Sequence, residues 1–211
     1  MAVSMYAIAV PTFQKQLTAL DAILDKATEY AAAKKIDISV LLTARLYPDM
    51  FNLTRQVQLA TDFAKAAPAR LAGTPVPSFP DTETTMPEIK QRIAKTLALL
   101  ADVKPEQLNG SETKQLTVNV GGKEVTLTGQ DYLLHVSFPN FYFHCATLTT
   151  SCGTTALRLA SATSFAGKAD RLGVRASAAD LQLDGRAGIT YSDACDNGRS
   201  KWRPSLSGLR E

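Results

Sequence analysis

The stretch FQKQLTALDAILDKATEYA, residues 13–31, decides the fold class of this chain. Its apolar residues recur at alternating spacings of four and three, at Phe13, Leu17, Leu20, Leu24, Ala27 and Ala31. This period places them in one stripe along a helix that packs on a neighbour over its length. We expect the helix to end near Lys34 and Lys35, whose charges suit the negative end of the helix dipole. Pro11 either starts this helix or kinks an extension of it from about Ser4.

A second long stripe follows a short helical segment. Asp37 is a good cap for that segment, which we predict from Ile38 to about Ala44. Pro48 then predicts the first turn of a long helix, and Gly73 predicts its end. The apolar residues of this helix again step by four and three, at Leu46, Met50, Leu53, Val57, Ala60, Ala64, Ala67 and Leu71.

The third long helix begins after a linker that cannot be helical. The linker GTPVPSFPDTET, residues 73–84, contains three prolines and must cross the surface. Thr85 and Glu88 then have the spacing of a capping box, with a proline between them. The stripe of the following helix consists of Ile89, Ile93, Leu97 and Leu100.

A β-hairpin separates the third long helix from the fourth. Apolar residues alternate with polar ones in 116–120 and again in 125–128, on either side of Gly121-Gly122-Lys123. Thr128 and Asp131 resemble another helix cap, and the fourth helix follows with Tyr132, Val136, Phe143 and Thr147. Pro139 should kink it. These elements predict a mainly α protein, a four-helix bundle with one β-hairpin insertion before helix four.

Composition divides the chain after Leu148. Residues 1–148 hold fourteen basic and fourteen acidic residues, whereas residues 149–211 hold nine basic and six acidic, which is the whole formal net charge of +3. The basic character is therefore a property of the tail, and we expect no nucleic-acid partner. We also expect no membrane segment, no secretory signal and a cytoplasmic protein. The three cysteines have no metal-like spacing, so we expect reduced thiols.

The small, polar composition after Leu148 has a second interpretation in the genetic code. Read one base out of frame, TTSCGTTALRLASATSF (149–165) permits the peptide YDILRHNGVALGKRDFL. That peptide continues an amphipathic helix and ends it at Asn-Gly. We therefore divide the chain into a bundle domain, residues 1–148, and an atypical tail, residues 149–211, which we expect to be poorly ordered and to arise from a frameshift.

Several separated motifs resemble one family. They are SMYAIAVPTF, LLTARLYPDMFNLTRQVQLATDFAKAAPARLAG, FPDTETTMPEIKQRIAKTLALL and GQDYLLHVSFPNFYFH. In this order they resemble an uncharacterised domain-of-unknown-function family of the DinB/YfiT-like superfamily, over about residues 3–148. The resemblance implies a four-helix bundle with a pocket between helices. Family members end in a segment much like the peptide of the shifted frame.

The resemblance also sets an expectation that this chain does not meet. Relatives elsewhere in the superfamily bind a divalent metal through three histidines, and some transfer low-molecular-weight thiols. This chain has only His135 and His144, and their spacing of nine puts them on opposite sides of a straight helix. We therefore predict no metal site and no cofactor, with a divalent metal as the open alternative.

Candidate ligand-binding residues come from two stretches. In PDMFNLTRQVQ, Asp49 and Gln56 would share one column of the second long helix beside its apolar stripe. In the fourth helix, Asn140, Tyr142 and His144 follow the predicted kink. Each also has a structural interpretation, because a helix-capping carboxylate, a local amide bond or a packed histidine would use the same residues.

Several further residues are weaker candidates for a binding or catalytic site. Arg45 and Arg55 could bind an anionic ligand, and Asp62 could pair with a base one helical turn or more away, but surface ion pairs explain all three equally well. Cys145 beside His144 suggests a Cys/His nucleophile. Neighbours on a helix point about 100° apart, which disfavours such a dyad. The other histidine, at position 135, is expected to face outward.

Two functions from different classes follow. The first is a small-ligand-binding or dimeric interaction domain, with a homodimer as the expected assembly. The second is a DinB-like enzyme, thiol-transferase-like or hydrolase-like, in which His144 with Asp49 and Gln56 activates a small substrate, with or without a metal. Whether the protein is an enzyme stays open on the sequence.

Overall fold

The computed structural model describes residues 4–152. In order, these residues form α1 (Met5–Lys34), α2 (Ile38–Thr43), α3 (Leu53–Ala72), α4 (Met86–Asp102), a 3₁₀ turn (Pro105–Leu108), β1 (Gln115–Val120), β2 (Lys123–Thr128), the short α5 (Gly129–Asp131), a π-helical segment (Tyr132–Ser137) and α6 (Phe138–Ser151). The mainly helical fold with one hairpin before the last helix confirms the predicted class. Of the predicted tail, residues 149–151 belong to α6, and residues 153–211 lie outside the described residues.

Most helices begin or end where the sequence predicted. Ser4 caps α1, which contains Pro11 and ends at Lys34. Asp37 caps α2, and its carboxylate accepts a hydrogen bond from the Ser39 amide at 2.9 Å. Gly73 ends α3 in the left-handed conformation, at φ 76°. Thr85 and Glu88 form the expected capping box at the start of α4.

The start of α3 was predicted wrongly. Pro48 does not open this helix, which begins at Leu53 with Asn52 as its cap. The Asn52 side chain accepts a hydrogen bond from the Arg55 amide at 2.9 Å, and Asn52 also pairs as an isolated bridge with Arg45. The cap and the bridge hold the preceding residues outside the helix, although their apolar spacing continues the stripe.

Helix α3 lies at the centre of the bundle. It packs most extensively against α6 and α4, and α1 packs mainly against α4. The predicted stripes supply the core: α1 buries Phe13, Leu17, Leu20 and Leu24, and α3 buries Val57, Ala60, Ala64, Ala67 and Leu71. Small residues on α3 allow its neighbours to approach closely.

The hairpin pairs β1 with β2 in antiparallel register, from Gln115 opposite Thr128 to Val120 opposite Lys123. Gly121 and Gly122 form its turn, with φ values of 60° and 82°. A two-residue turn with both φ angles positive suits the twist of a hairpin, and glycine adopts it without steric cost.

A π-helical segment lies immediately before α6, next to Pro139, where the sequence predicted a kink. The Phe138 amide reaches the Leu133 carbonyl, five residues back. This wider turn accommodates a proline that cannot donate a backbone hydrogen bond. No helix among residues 4–152 combines the length and the apolar character needed to span a membrane.

Candidate functional site

Two of the predicted site residues form a buried pair between α3 and α6. Gln56 Oε1 lies 2.7 Å from His144 Nδ1, and both side chains are buried. The two residues are 88 positions apart in the chain. The packing of α6 on α3 therefore creates this contact.

The hydrogen bonds of Gln56 define the protonation of the imidazole. Gln56 Nε2 donates to the Phe51 carbonyl at 3.3 Å, so the amide oxygen must face His144. Because that oxygen can only accept, Nδ1 of His144 carries a proton. In the neutral ring, Nε2 then has a free lone pair, and no described residue forms a hydrogen bond with it.

Aromatic rings surround the imidazole. The Phe63 ring stacks on it with 5.9 Å between centroids, and the Phe143 ring makes an edge-to-face contact with it at 5.3 Å between centroids. Burial, and next the positive charge of Arg55, lower the pKa of His144 below its ordinary value. Both effects favour the neutral form of the His144 imidazole.

Asp49 does not join this pair. It is exposed in the segment between α2 and α3, ahead of the first helical turn of α3. The column predicted for Asp49 and Gln56 is therefore absent, because only Gln56 belongs to the helix. Arg45 lies in the same segment and donates through Nη1 to the Met50 carbonyl at 2.5 Å.

Among the described residues, neither Asn140 nor Tyr142 forms a hydrogen bond with His144, although Asn140 lies one turn before it on α6. Asn140 is exposed, and its amide donates to the Val136 carbonyl at 2.7 Å, bridging the turn that the proline interrupts. Tyr142 is exposed, with its ring beside those of Phe138 and Phe141. Partial burial of the side chain, and next the nearby Cys145, raise the pKa of Tyr142. The assignment of Asn140 and Tyr142 to a ligand site stays a prediction.

The cysteine beside His144 faces the core. Cys145 is buried, and burial raises the pKa of its thiol to about 12. A neutral thiol is a poor nucleophile, which agrees with the weak case for a Cys/His dyad. His135 is exposed as expected, with Nε2 3.8 Å from Asp131. Residues 4–152 contain no group of three or more histidine, cysteine or acidic side chains suited to a metal ion.

An ionic network that the sequence analysis missed fixes the linker on the bundle. The side chain of Arg92 on α4 is 2% exposed. It binds Asp62 of α3 at 2.8 Å and the linker carboxylates of Asp81 at 3.0 Å and Glu83 at 2.9 Å. One signal was available in the sequence: Arg92 lies among the apolar positions of the α4 stripe, where a charge needs buried partners.

The same network includes two further residues of α3. Gln58 donates to Glu83 at 2.9 Å, and Arg55 forms an ion pair with Asp81. Burial would raise the pKa of Glu83, but hydrogen bonds from Arg92 and Gln58 lower it below its ordinary value. The predicted pairing of Asp62 with a base is confirmed by its ion pairs with the guanidinium of α4 and with Lys65.

A cleft of about 480 Å³ lies beside the buried pair, and we call it the α3 cleft. One side of Phe63 contacts His144, and Phe63 also lines this cleft. The linker, the hairpin and the π-helical segment supply its other walls. Its apolar lining includes Leu59, Ala66, Val76, Phe79, Val118 and Val136. Three charged residues also line it: Asp62, Lys65 and Arg70.

Comparisons with known proteins identify the family. Residues 5–149 match the family model described as Domain of unknown function (DUF1993). The crystal structure of a DinB family member protein from Shewanella denitrificans is 34% identical in sequence, with a TM-score of 0.63, and the match covers 88% of this chain and 96% of that one. No curated protein matches the chain. The chain therefore belongs to the DUF1993 family and has the fold of a DinB-like helical protein.

Proposed function

We propose that this protein binds a small organic molecule in the α3 cleft. The observation that carries the proposal is the cleft itself, about 480 Å³ in volume and bounded by aromatic and aliphatic side chains together with polar and charged ones. Binding sites for small molecules are typically concave, mostly apolar and of this size, with a few polar groups that orient the ligand.

The walls of the cleft come from parts of the fold that are held in place. The Arg92 network fixes the linker, which contributes Phe79. The Arg92 guanidinium lies 5.5 Å from the centre of the Phe79 ring, and Lys65 lies 4.6 Å from it. A wall fixed in this way supports binding, because little conformational entropy is lost when the ligand enters.

Indole, a neutral bicyclic aromatic molecule, is a suitable first probe. We expect isothermal titration calorimetry to detect its binding with a dissociation constant of about 1 mM or tighter. A molecule of this size can reach that affinity. Ala66→Phe places a ring in the cleft and should abolish binding. Ala98→Phe, at an exposed position of α4, is the matched control and should retain it. Equal binding to both variants, or none to the parent protein, contradicts the proposal.

A second candidate function is catalysis by His144 as a general base. The Gln56 bond favours it, because it orients the ring and leaves Nε2 as the acceptor. Asp49 has no part in this arrangement, and the described residues do not fit a metal site. Hydrolysis of p-nitrophenyl acetate tests the candidate: a general base predicts at least about a tenfold loss in His144→Asn. An unchanged rate excludes this role in the reaction tested.

The expected homodimer is also a proposal. Exposed apolar side chains near the start of α3 and on α6 support it, among them Leu46, Tyr47, Phe51 and Phe143. Light scattering coupled to size exclusion measures the mass directly. A mass of one chain at micromolar concentration contradicts the dimer.

A further inference from the structure

Arg70 differs from the other cations near the α3 cleft because it has no carboxylate partner among the described residues. It lies in the last turn of α3, is half-buried and lines the cleft. Its Nη1 donates to the Tyr132 hydroxyl at 2.7 Å, and Tyr132 is fully buried. The tyrosine therefore holds the guanidinium in place while its other N–H groups have no partner in the described part of the chain.

The remaining charges of the cleft neutralise one another. Asp62 binds both Lys65 and Arg92. Lys65 is buried and is also directed at the face of the Phe79 ring. One carboxylate and two cations line the cleft, so its lining carries a net charge of +1, and Arg70 is the cation without an ionic partner in residues 4–152.

Stabilisation of the end of α3 does not account for Arg70. Lys114 Nζ already donates to the Leu71 carbonyl at 3.2 Å. The amides of Gly73 and Thr74 bind the carbonyls of Arg70 and Ala69. These groups satisfy the free carbonyls at the helix end and supply a cation there.

We propose that the ligand of the α3 cleft is an organic monocarboxylate, with its carboxylate on Arg70 and its apolar part against Phe63 and Val136. This inference rests on the proposed small-molecule function. A guanidinium offers parallel N–H groups that match the two oxygens of a carboxylate. A single negative charge also balances the net charge of the lining.

Indole-3-carboxylate and indole-3-carboxamide test the inference, since they have nearly the same shape and differ in charge. We expect calorimetry to give at least about tenfold tighter binding of the carboxylate, since a hydrogen bond between charged groups is stronger than one between neutral groups. Arg70→Gln should remove this preference, and Arg70→Lys should retain part of it. Arg45→Gln, which alters an exposed arginine outside the cleft, should bind both probes as the parent protein does.

The outcomes separate this inference from the proposed function. Equal affinity for both probes overturns the carboxylate inference and leaves a neutral small-molecule site. A preference that survives in Arg70→Gln also overturns it. Binding of neither these probes nor indole overturns both proposals. If Arg70→Gln does not fold, Tyr132→Phe removes the hydroxyl that positions the guanidinium, and it should reduce the preference.

Discussion

Gln56 and His144 form a hydrogen bond inside the bundle that links two helices far apart in the chain. The sequence analysis selected both residues, because a glutamine beside an apolar stripe and a histidine after an aromatic cluster are unusual at such positions. It could not pair them, since their contact depends on how α6 packs on α3. Asp49 was grouped with them on helical spacing alone, which fails because α3 begins only at Leu53.

The lowered pKa of His144 predicts how stability changes with pH. Burial and Arg55 make the folded protein bind this proton less readily than the unfolded chain, whose pKa is near 6.5. The contribution of the neutral ring is complete above about pH 6.5 and is lost as the pH falls through the lower folded-state value. Urea unfolding at about pH 7.5 and about pH 5 should show a smaller decrease in His144→Asn than in the parent protein.

His135 is the natural control for that measurement, because the chain has only two histidines and this one is exposed. His135→Asn should show the same loss of stability on acidification as the parent protein. A parent-like pH dependence in His144→Asn would contradict the prediction.

At the scale of elements, the linker shows why local sequence patterns could not predict how this segment attaches to the bundle. Its three prolines correctly predicted a non-helical segment, and the capping box located the start of α4. The attachment of the linker depends on Asp81 and Glu83 meeting Arg92, which requires α3 and α4 to be packed side by side. No local sequence pattern predicts this contact. The charge of Arg92 within the α4 stripe indicates only that it needs buried partners.

Replacing Arg92 should release the linker and destabilise the bundle. Arg92→Met leaves the carboxylates of Asp62, Asp81 and Glu83 without their shared cation. We expect the free energy of unfolding to fall by about 2–4 kcal/mol, somewhat less than for a fully enclosed pair, because Asp62 and Asp81 reach water. Urea unfolding measures the change, and Lys95→Met, at an exposed position of α4, is the control.

Proteolysis distinguishes release of the linker from general loss of stability. A protease specific for glutamate should cut after Glu83 faster in Arg92→Met than in the parent protein under native conditions. An unchanged rate at this bond, with parent-like stability, would show that the network does not hold the linker.

At the scale of the molecule, the periods of the apolar stripes were enough to predict the bundle. Each stripe identified one long helix, and the change to a period of two identified the hairpin. The family match ends at residue 149, next to the change in composition after Leu148. This agreement supports the proposed frameshift, which the coding DNA tests directly.

The frameshift proposal predicts a gain in stability when the frame is restored. A chain of residues 1–148 followed by YDILRHNGVALGKRDFL extends the amphipathic pattern of α6. If the extension adds about 2 kcal/mol of packing, the melting temperature should rise by roughly 4–8 °C relative to the 211-residue chain. An unchanged or lower melting temperature would contradict the proposal, as would codons that do not permit the shifted peptide.

The buried thiol of Cys145 allows transient opening of the bundle to be measured. Neutral and enclosed by the core, it cannot react with an alkylating reagent while α6 is in place. Mass spectrometry can follow labelling of this one cysteine in native buffer. That rate, divided by the rate for an unfolded peptide, gives the equilibrium constant for transient opening when closing is faster than labelling. Labelling of Cys145 thus reports how often α6 separates from the rest of the bundle.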